Sequence, residues 1–583
     1  MRSRQYFRRA ALMIALAAAG TAWSATWTYP GCPNVDDEKD FAYDTLVIRG
    51  KTPDATILEP VKLAVTKDPA GDIEVYFAER NGKLKVFRSK TRTVDVIREF
   101  PVYTTNEDGL LGVTVDPNFA VNRYMYFMYS VIDKDLWRIS RMTLSADRKS
   151  LADEKTVLEW LVQKKDCCHT GGGMAFDDVG DLWVTIGNNE GRGSDGVNDT
   201  NKIASGEWGA SSTASLRGGV IRIHPKPDGT YSIPKGNFWE YFADQFDQAG
   251  KPDIAKSYRD SSKVKREIFI KGNRNPYTIA LDPARRWVGF GDVGPDGTKP
   301  DSTGLGEEYN LHLVPAFDGW PYFAGNNRPN AGGKNADAPM NTSVWNTGVQ
   351  TLPPATKPLT EEHNSASIAG PIYRYNKALA SPGKLPPHFH RMWFMNNWST
   401  GQMRVLKLGD DGKMAAGWTA PKTLMTKHSW AGVVEVKEGP DAALYVIHYA
   451  GFFSATAETR IERISYKGAA CTADIAWEKG GCKALDATVT NNIPESCPEG
   501  TGMVRDHGAK RGAILRTAIT LDGMQRIAVP EGIHRVELYG LDGKRAFAAA
   551  IGTGTSAGNT GGVFSLELPS GLAHGIYKVV MFP

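Results

Sequence analysis

The stretch Asp166-Cys167-Cys168-His169-Thr170-Gly171-Gly172-Gly173 joins a proton acceptor to a bare backbone. Histidine takes and releases a proton near neutral pH. Glycines carry no side chain, so a flat ligand or a second backbone can approach them closely. A histidine on such a floor, facing a cavity, suits removal of a proton from a bound hydroxyl. The same residue also serves simply to cap a turn. A second pair, His388-Phe389-His390, follows Pro386-Pro387 and has a spacing that two ligands of one metal can share. Loop histidines at the rim of a β fold are more often solvated, and solvation is the expectation here.

The elements that must position His169 repeat along the first 466 residues. A short strand leads to a Pro/Asp/Gly turn, an aromatic-rich strand, and a strand often carrying Arg beside an aliphatic residue. The copies are Leu63-Ala64-Val65 with Val75-Tyr76-Phe77 and Leu84 to Phe87; Leu111 to Val115 with Met125-Tyr126-Phe127 and Trp137 to Ser140; Met174-Ala175-Phe176 with Leu182-Trp183-Val184 and Val220 to Ile223; Thr278 to Leu281 with Trp287 to Phe290 and Glu308 to Leu311; Ile372 to Tyr375 with Met392 to Met395 and Met403 to Leu406; and Val433 to Val436 with Leu444-Tyr445-Val446 and Arg460 to Ile464. Each reads as a four-stranded antiparallel unit with tight turns. Such units bury both faces only by stacking around an axis. The fold class expected is therefore all-β: a six-bladed β-propeller over residues 25–466, with polar insertions near 187–215, 229–265 and 325–365 read as loops.

The flanks differ in texture. Arg2, Arg4, Arg8 and Arg9 precede an apolar run from Ala10 to Ala22, ending in Ala22-Trp23-Ser24-Ala25, so residues 1–24 read as a secretory signal peptide. No later run is long enough for a transmembrane segment. The expected location is secreted or cell-surface, with the periplasm also open. Residues 467–525 read as a Cys-containing linker, and 526–583 as a small C-terminal β-sandwich. The six cysteines are even in number and lack zinc-site spacing. Cys482 and Cys497, which bracket a polar loop, are the expected pair; Cys167 and Cys168 can bond each other or pair elsewhere. A formal charge of +4 without any basic block excludes nucleic acid as the expected partner.

Several stretches together resemble the soluble glucose/sorbosone dehydrogenases that use pyrroloquinoline quinone (PQQ). They are Asp108-Gly109-Leu110-Leu111-Gly112 with Asp116-Pro117-Asn118-Phe119, His169 with its glycines, Leu216 to Ile223, Lys271-Gly272-Asn273-Arg274-Asn275-Pro276, Gly291 to Asp296, Glu307-Glu308-Tyr309-Asn310 and Gly319-Trp320-Pro321. The resemblance implies a six-bladed propeller, agreeing with the blade count. It implies His169 as the base that takes a sugar hydroxyl proton while hydride leaves the carbon for PQQ. It implies cofactor binding by Glu107, Arg274 and Asn275. It implies Ca2+ held through the Gly294-Pro295 turn, and a second, structural calcium at Glu308. Asp318, before Gly319-Trp320-Pro321, is a further candidate oxygen donor to a metal. Partners implied are a sugar substrate and an external electron acceptor, a cytochrome or a quinone.

This chain departs from the family pattern on the late blades. Family members set a Lys and a pair of Arg against the quinone, where this chain reads Trp398-Ser399-Thr400-Gly401 and Trp430 to Val434. The aspartate usual before the histidine is Cys168. Two alternatives therefore stand beside the dehydrogenase: a non-catalytic, carbohydrate-binding surface propeller, and a calcium-dependent lactonase-type hydrolase. The C-terminal segment, through Val536 to Lys544 and Gly575 to Val579, resembles a type IX secretion sorting domain. That implies contact with outer-membrane secretion machinery; a plain accessory sandwich is the alternative.

Overall fold

The structure, a computed structural model, describes residues 39–164, 168–189, 206–282, 287–295, 306–330, 332–343, 346–362, 366–376, 378–449, 451 and 455–468, and six strands within 515–582. The expected signal peptide lies outside these residues. Among the described residues no helix is long and apolar enough to cross a membrane.

Six sheets form the propeller. Their innermost strands are Pro60–Lys67, Leu110–Val115, Gly171–Phe176, Ala280–Asp282, Ser367–Ile372 and Val433–Glu438, and each touches the next in cyclic order. The turns after the first three share one device. Asp68 Oδ1 accepts the backbone N–H of Ala70 and Asp72, both at 2.9 Å. Asp116 Oδ1 accepts that of Asn118 at 2.9 Å, and Asp177 Oδ1 those of Val179 and Asp181 at 3.1 and 2.9 Å. A short carboxylate that caps its own turn explains the recurring Asp.

The second strands are apolar on both faces because blades pack against blades. Tyr76, Ala78 and Val86 of blade 1 join Val113, Phe127 and Met142 of blade 2 in one core. Val75, Phe77 and Phe87 join Ala443, Tyr445 and Ile447 of blade 6 in another. Each such side chain contributes about 1.5–3 kcal/mol on burial, so face-to-face stacking is the main source of stability.

The structure corrects the sequence reading at several places. Blade 6 is completed by Phe41–Ile48, which pairs antiparallel with Arg460–Tyr466 and was not anticipated. The first strand of blade 5 is Ser367–Ile372, ahead of the expected Ile372 to Tyr375. The 229–265 insertion is not a loop: it holds helices Phe238–Gln248 and Pro252–Arg259, whose Phe238, Phe242, Ala255 and Tyr258 pack on the blade-3 core. His388 and His390 are buried, not solvated.

A second compact unit gathers Thr472–Pro583 with Arg374–Ser381 and Pro386–His390. Its C-terminal strands form a four-stranded sheet, in the order Leu515–Leu521, Gly575–Phe582, Arg535–Tyr539, Arg545–Ala550, and a pair, Arg526–Pro530 with Val563–Glu567. Strands fill the span expected to form a β-sandwich, and the first of them begins inside the span read as linker.

Candidate active site

A cavity opens where the innermost strands begin. It is lined by Val61, Leu111, Gly171 and Val434 from four strand starts, by Tyr277, Trp398 and Tyr449 as aromatic walls, and by Arg80, Glu107, Thr170 and Asn275 as polar groups. Apolar walls with a few convergent polar groups are what a small-molecule site requires.

His169 stands two residues before the blade-3 strand, with a left-handed φ of 58°. Its carbonyl accepts the N–H of Asn189 at 3.1 Å. A Cβ on Gly187 would fall 2.0 Å from that carbonyl, so this contact demands glycine there. The triple glycine has a different reason from the one expected. A Cβ on Gly172 would lie 2.1 Å from Leu111 O, so that glycine lets blade 3 close on blade 2. Of the three, only Gly171 lines the cavity.

Four of the expected residues converge here. The backbone N–H of His169 donates to Glu107 Oε2 at 2.6 Å, and that of Thr170 to the same oxygen at 3.4 Å. Gly171 N–H donates to Asn275 Oδ1 at 3.2 Å. Arg274 accepts the Asn188 N–H on its carbonyl at 2.8 Å and donates from its guanidinium to Val293 O at 3.1 Å. The His169 ring is buried, and its Nδ1 lies 2.7 Å from Asn188 Oδ1. That amide oxygen can only accept, so Nδ1 carries the proton and Nε2 keeps a lone pair. Burial first, and then the charge of Arg274, hold the His169 pKa well below its usual value. The ring is therefore neutral, in its base form, at pH 7. His169 itself is not among the residues lining the cavity; Thr170 and Gly171 are. Cys168 is disulfide-bonded, and the other five cysteines lie outside the described residues.

Behind this set lies a cluster of buried acids. Asp292 accepts the N–H groups of Arg274 and Asn275 at 3.0 and 2.6 Å and so fixes the Arg-Asn turn. Asn273 Nδ2 bridges Asp292 and Asp318 at 3.2 and 2.8 Å. Glu308 accepts from Gly325 N–H at 2.6 Å and Asn310 Nδ2 at 2.9 Å, and Glu307 accepts from Gly294 N–H at 2.8 Å. Burial pushes the Asp292 pKa up to about 7, that of Glu307 up to about 8, and that of Glu308 well above the usual carboxylate range. The charges of Asp292 and Asp318 push Glu308 further the same way. Three buried oxygens here, Asn273 Oδ1, Asn310 Oδ1 and Asp318 Oδ1, have no hydrogen-bond donor, although His312 Nε2 lies 3.0 Å from the last. Buried oxygens without donors beside several acids match the donor set of a hard cation.

The structure thus brings Glu308 and Asp318 together, and adds Asp292, Asn273 and Asn310. Gly294 reaches the cluster only through its N–H. Pro295 makes no hydrogen bond to it among the described residues. Asn188 and Arg80 are residues that sequence reasoning missed. Arg80 borders the cavity with its guanidinium ion-paired to Glu59 at 2.8 Å.

A family profile described as Glucose / Sorbosone dehydrogenase matches residues 58–451. The aldose sugar dehydrogenase YliI of Escherichia coli is 24% identical over 302 residues, 51% of this chain and 64% of its own length. The uncharacterised protein slr1608 of Synechocystis is 26% identical over 265 residues, 43% of this chain and 54% of its own. The chain thus spans between half and two thirds of these curated relatives. Among solved structures, the apo form of the soluble aldose sugar dehydrogenase of E. coli aligns with 73% of this chain and 99% of its own at 20% identity and a TM-score of 0.49. The PQQ-bound aldose sugar dehydrogenase of Streptomyces coelicolor aligns with 73% and 98% at 17% identity and a TM-score of 0.49.

Proposed function

The chain belongs to the glucose/sorbosone dehydrogenase family, and on that footing we propose that it oxidises a sugar at its anomeric or another alcohol carbon, with PQQ and calcium as cofactors. The observation that supports this best is the Asn188 lock on His169, which leaves Nε2 as a base beside the cavity. PQQ, when bound, supplies a two-electron acceptor for hydride.

The cavity residues fit such a group. Tyr277, Trp398 and Tyr449 offer flat walls, and Asn275 offers an amide donor to carboxylates or carbonyls. Glu107 holds the backbone of His169 and Thr170 in place. His169 Nε2 takes the hydroxyl proton as the carbon loses hydride, so that no oxocarbenium charge has to build up. The imidazolium formed is next to Arg274, whose charge favours passing the proton on.

Calcium fits the acid cluster. Asp292, Glu308 and Asp318, with the amide oxygens of Asn273 and Asn310, would hold it, and the ion would brace the Arg-Asn turn through Asp292. The calcium proposed at the Gly294-Pro295 turn rests on the family resemblance alone. Export through the N-terminal segment, surface sorting through the C-terminal sandwich and electron delivery to an external cytochrome or quinone belong to the same proposal.

The test is a titration of the mature chain with PQQ and Ca2+, followed by quinone absorbance, then a panel of aldoses. Sugar-dependent reduction that is lost in His169→Ala, with binding retained, supports the dehydrogenase. Failure to bind micromolar PQQ would leave the carbohydrate-binding propeller or the lactonase.

A further inference from the structure

A second constellation lies on blade 6. His428 is in the loop before the innermost strand, His448 ends the strand Leu444–His448, and Glu462 is in the strand Arg460–Tyr466. One ligand atom from each lies within 4.8 Å of the others. Both histidines present Nε2 to one oxygen: His428 Nε2 is 2.9 Å and His448 Nε2 3.0 Å from Glu462 Oε2. The other oxygen, Oε1, is occupied separately, by Arg460 Nε at 2.8 Å and Thr45 Oγ1 at 3.4 Å.

His448 is fully buried, with its Nε2 3.0 Å from Glu462 Oε2 and its Nδ1 3.3 Å from the carbonyl of Ala431. In the tautomer that carries its proton on Nδ1, the Nε2 lone pair faces the same carboxylate oxygen that His428 Nε2 approaches. A metal ion among the three atoms would take a bond from each.

The surroundings suit a metal. A ligating histidine ordinarily donates its other N–H to a carbonyl, as His448 does. Trp430 packs against both rings, at 4.9 Å from His428 and 6.1 Å from His448, and is itself fixed by Nε1 donating to Met425 O at 3.0 Å. Tyr43 stacks on His428 at 4.0 Å. Tetrahedral metal–ligand bonds of about 2.1 Å separate neighbouring ligands by about 3.4 Å, so the two His–Glu separations of 2.9 and 3.0 Å need to open only slightly to admit an ion. The His428 side chain is 15% exposed, which provides an entry path.

We propose that His428, His448 and Glu462 form a site for a divalent transition metal of the Zn2+ class, distinct from the calcium-type acid cluster. Two imidazoles and one carboxylate select such ions over Ca2+ or Mg2+. Its role is structural. Tyr43 and Thr45 belong to the N-terminal strand that completes blade 6, so the ion would fasten that closure. It is also one residue from Tyr449, a cavity wall.

The experiment uses the full mature chain, stripped of metals, saturated with Ca2+ and titrated with Co2+. Expected are one equivalent bound at micromolar concentration, a visible d–d absorption band and a rise in Tm of several degrees, roughly what a ligand at a hundred times its Kd confers. His428→Ala should abolish all three while His224→Ala, a partly exposed histidine on blade 3, keeps them. His428 is the truncation least able to disturb folding; His448→Gln is the second variant, read only if it folds. Binding no tighter than millimolar, or equal binding by His428→Ala, would overturn the site and leave the trio as a protonated ion-pair network.

Discussion

The group around His169 and the acid cluster behind it contrast in their hydrogen-bond accounts. Around His169 the groups that set the base are met: Nδ1 by Asn188, the backbone by Glu107, the adjoining strand by Asn275. In the cluster, three oxygens lack donors and three acids have raised pKa values. The first is organised by the protein alone; the second is incomplete as protein. The difference teaches that the geometry of the proposed base is built into the fold, whereas the turn carrying Arg274 and Asn275 rests on a cluster whose donor set matches a hard cation.

The largest effect should come from the complete side. His169→Ala should lower kcat by about a thousandfold, within the range of general-base catalysis, while PQQ binding measured by absorbance stays within a few-fold. Loss of binding together with rate would show that the two regions are not separable.

On the incomplete side, Glu308→Gln should weaken Ca2+ binding by about 10–100-fold, measured by calcium-dependent Tm, and weaken PQQ affinity through the loosened turn. An unchanged calcium response would mean that the donorless oxygens are not its ligands.

The contrast sharpens at Asn188. An aspartate there would stabilise the imidazolium, so Asn188→Asp should move the acid limb of the kcat/KM profile upward by about one pH unit. No shift would remove Asn188 from control of the base.

The smallest effect concerns stability. A carboxyl whose folded pKa is raised contributes most below its unfolded pKa near 4 and loses that contribution as pH rises through the folded value. With Asp292 near 7 and Glu307 near 8, the Tm of the calcium-free chain should fall by a few degrees from pH 5 to pH 8. Saturating Ca2+ should flatten that slope; a slope unaffected by Ca2+ would place the acids outside the ion's reach.

Much of this was legible in the sequence, for physical reasons. Asp-capped turns and doubly buried aromatic strands are local signals, so the blades could be read and the fold followed. The closing strand Phe41–Ile48 was missed because its partner is Arg460–Tyr466 and nothing nearby announces the pairing. Helix Phe238–Gln248 was missed because a polar average concealed the spacing of Phe238 and Phe242. Asn188 carries no motif; it meets His169 only because strand Leu182–Ile186 returns antiparallel beside Gly171–Phe176. Asp292 and Glu307 stood in the sequence only as members of family motifs, and only their shared burial reveals an electrostatic problem. Glu107, Arg274 and Asn275 could be placed through family motifs, although the contacts they make could not.

The closing strand also sets an order of manufacture. Thr45 and Glu462 meet across 417 positions of chain. The strand synthesised first must wait unpaired until the last blade has emerged, and only then does the ring shut. Contacts so distant in sequence are slow to form. A chain stopped anywhere before residue 460 keeps an open edge on its last blade. The joint that finishes the propeller therefore also sets the earliest moment at which the ring can be whole.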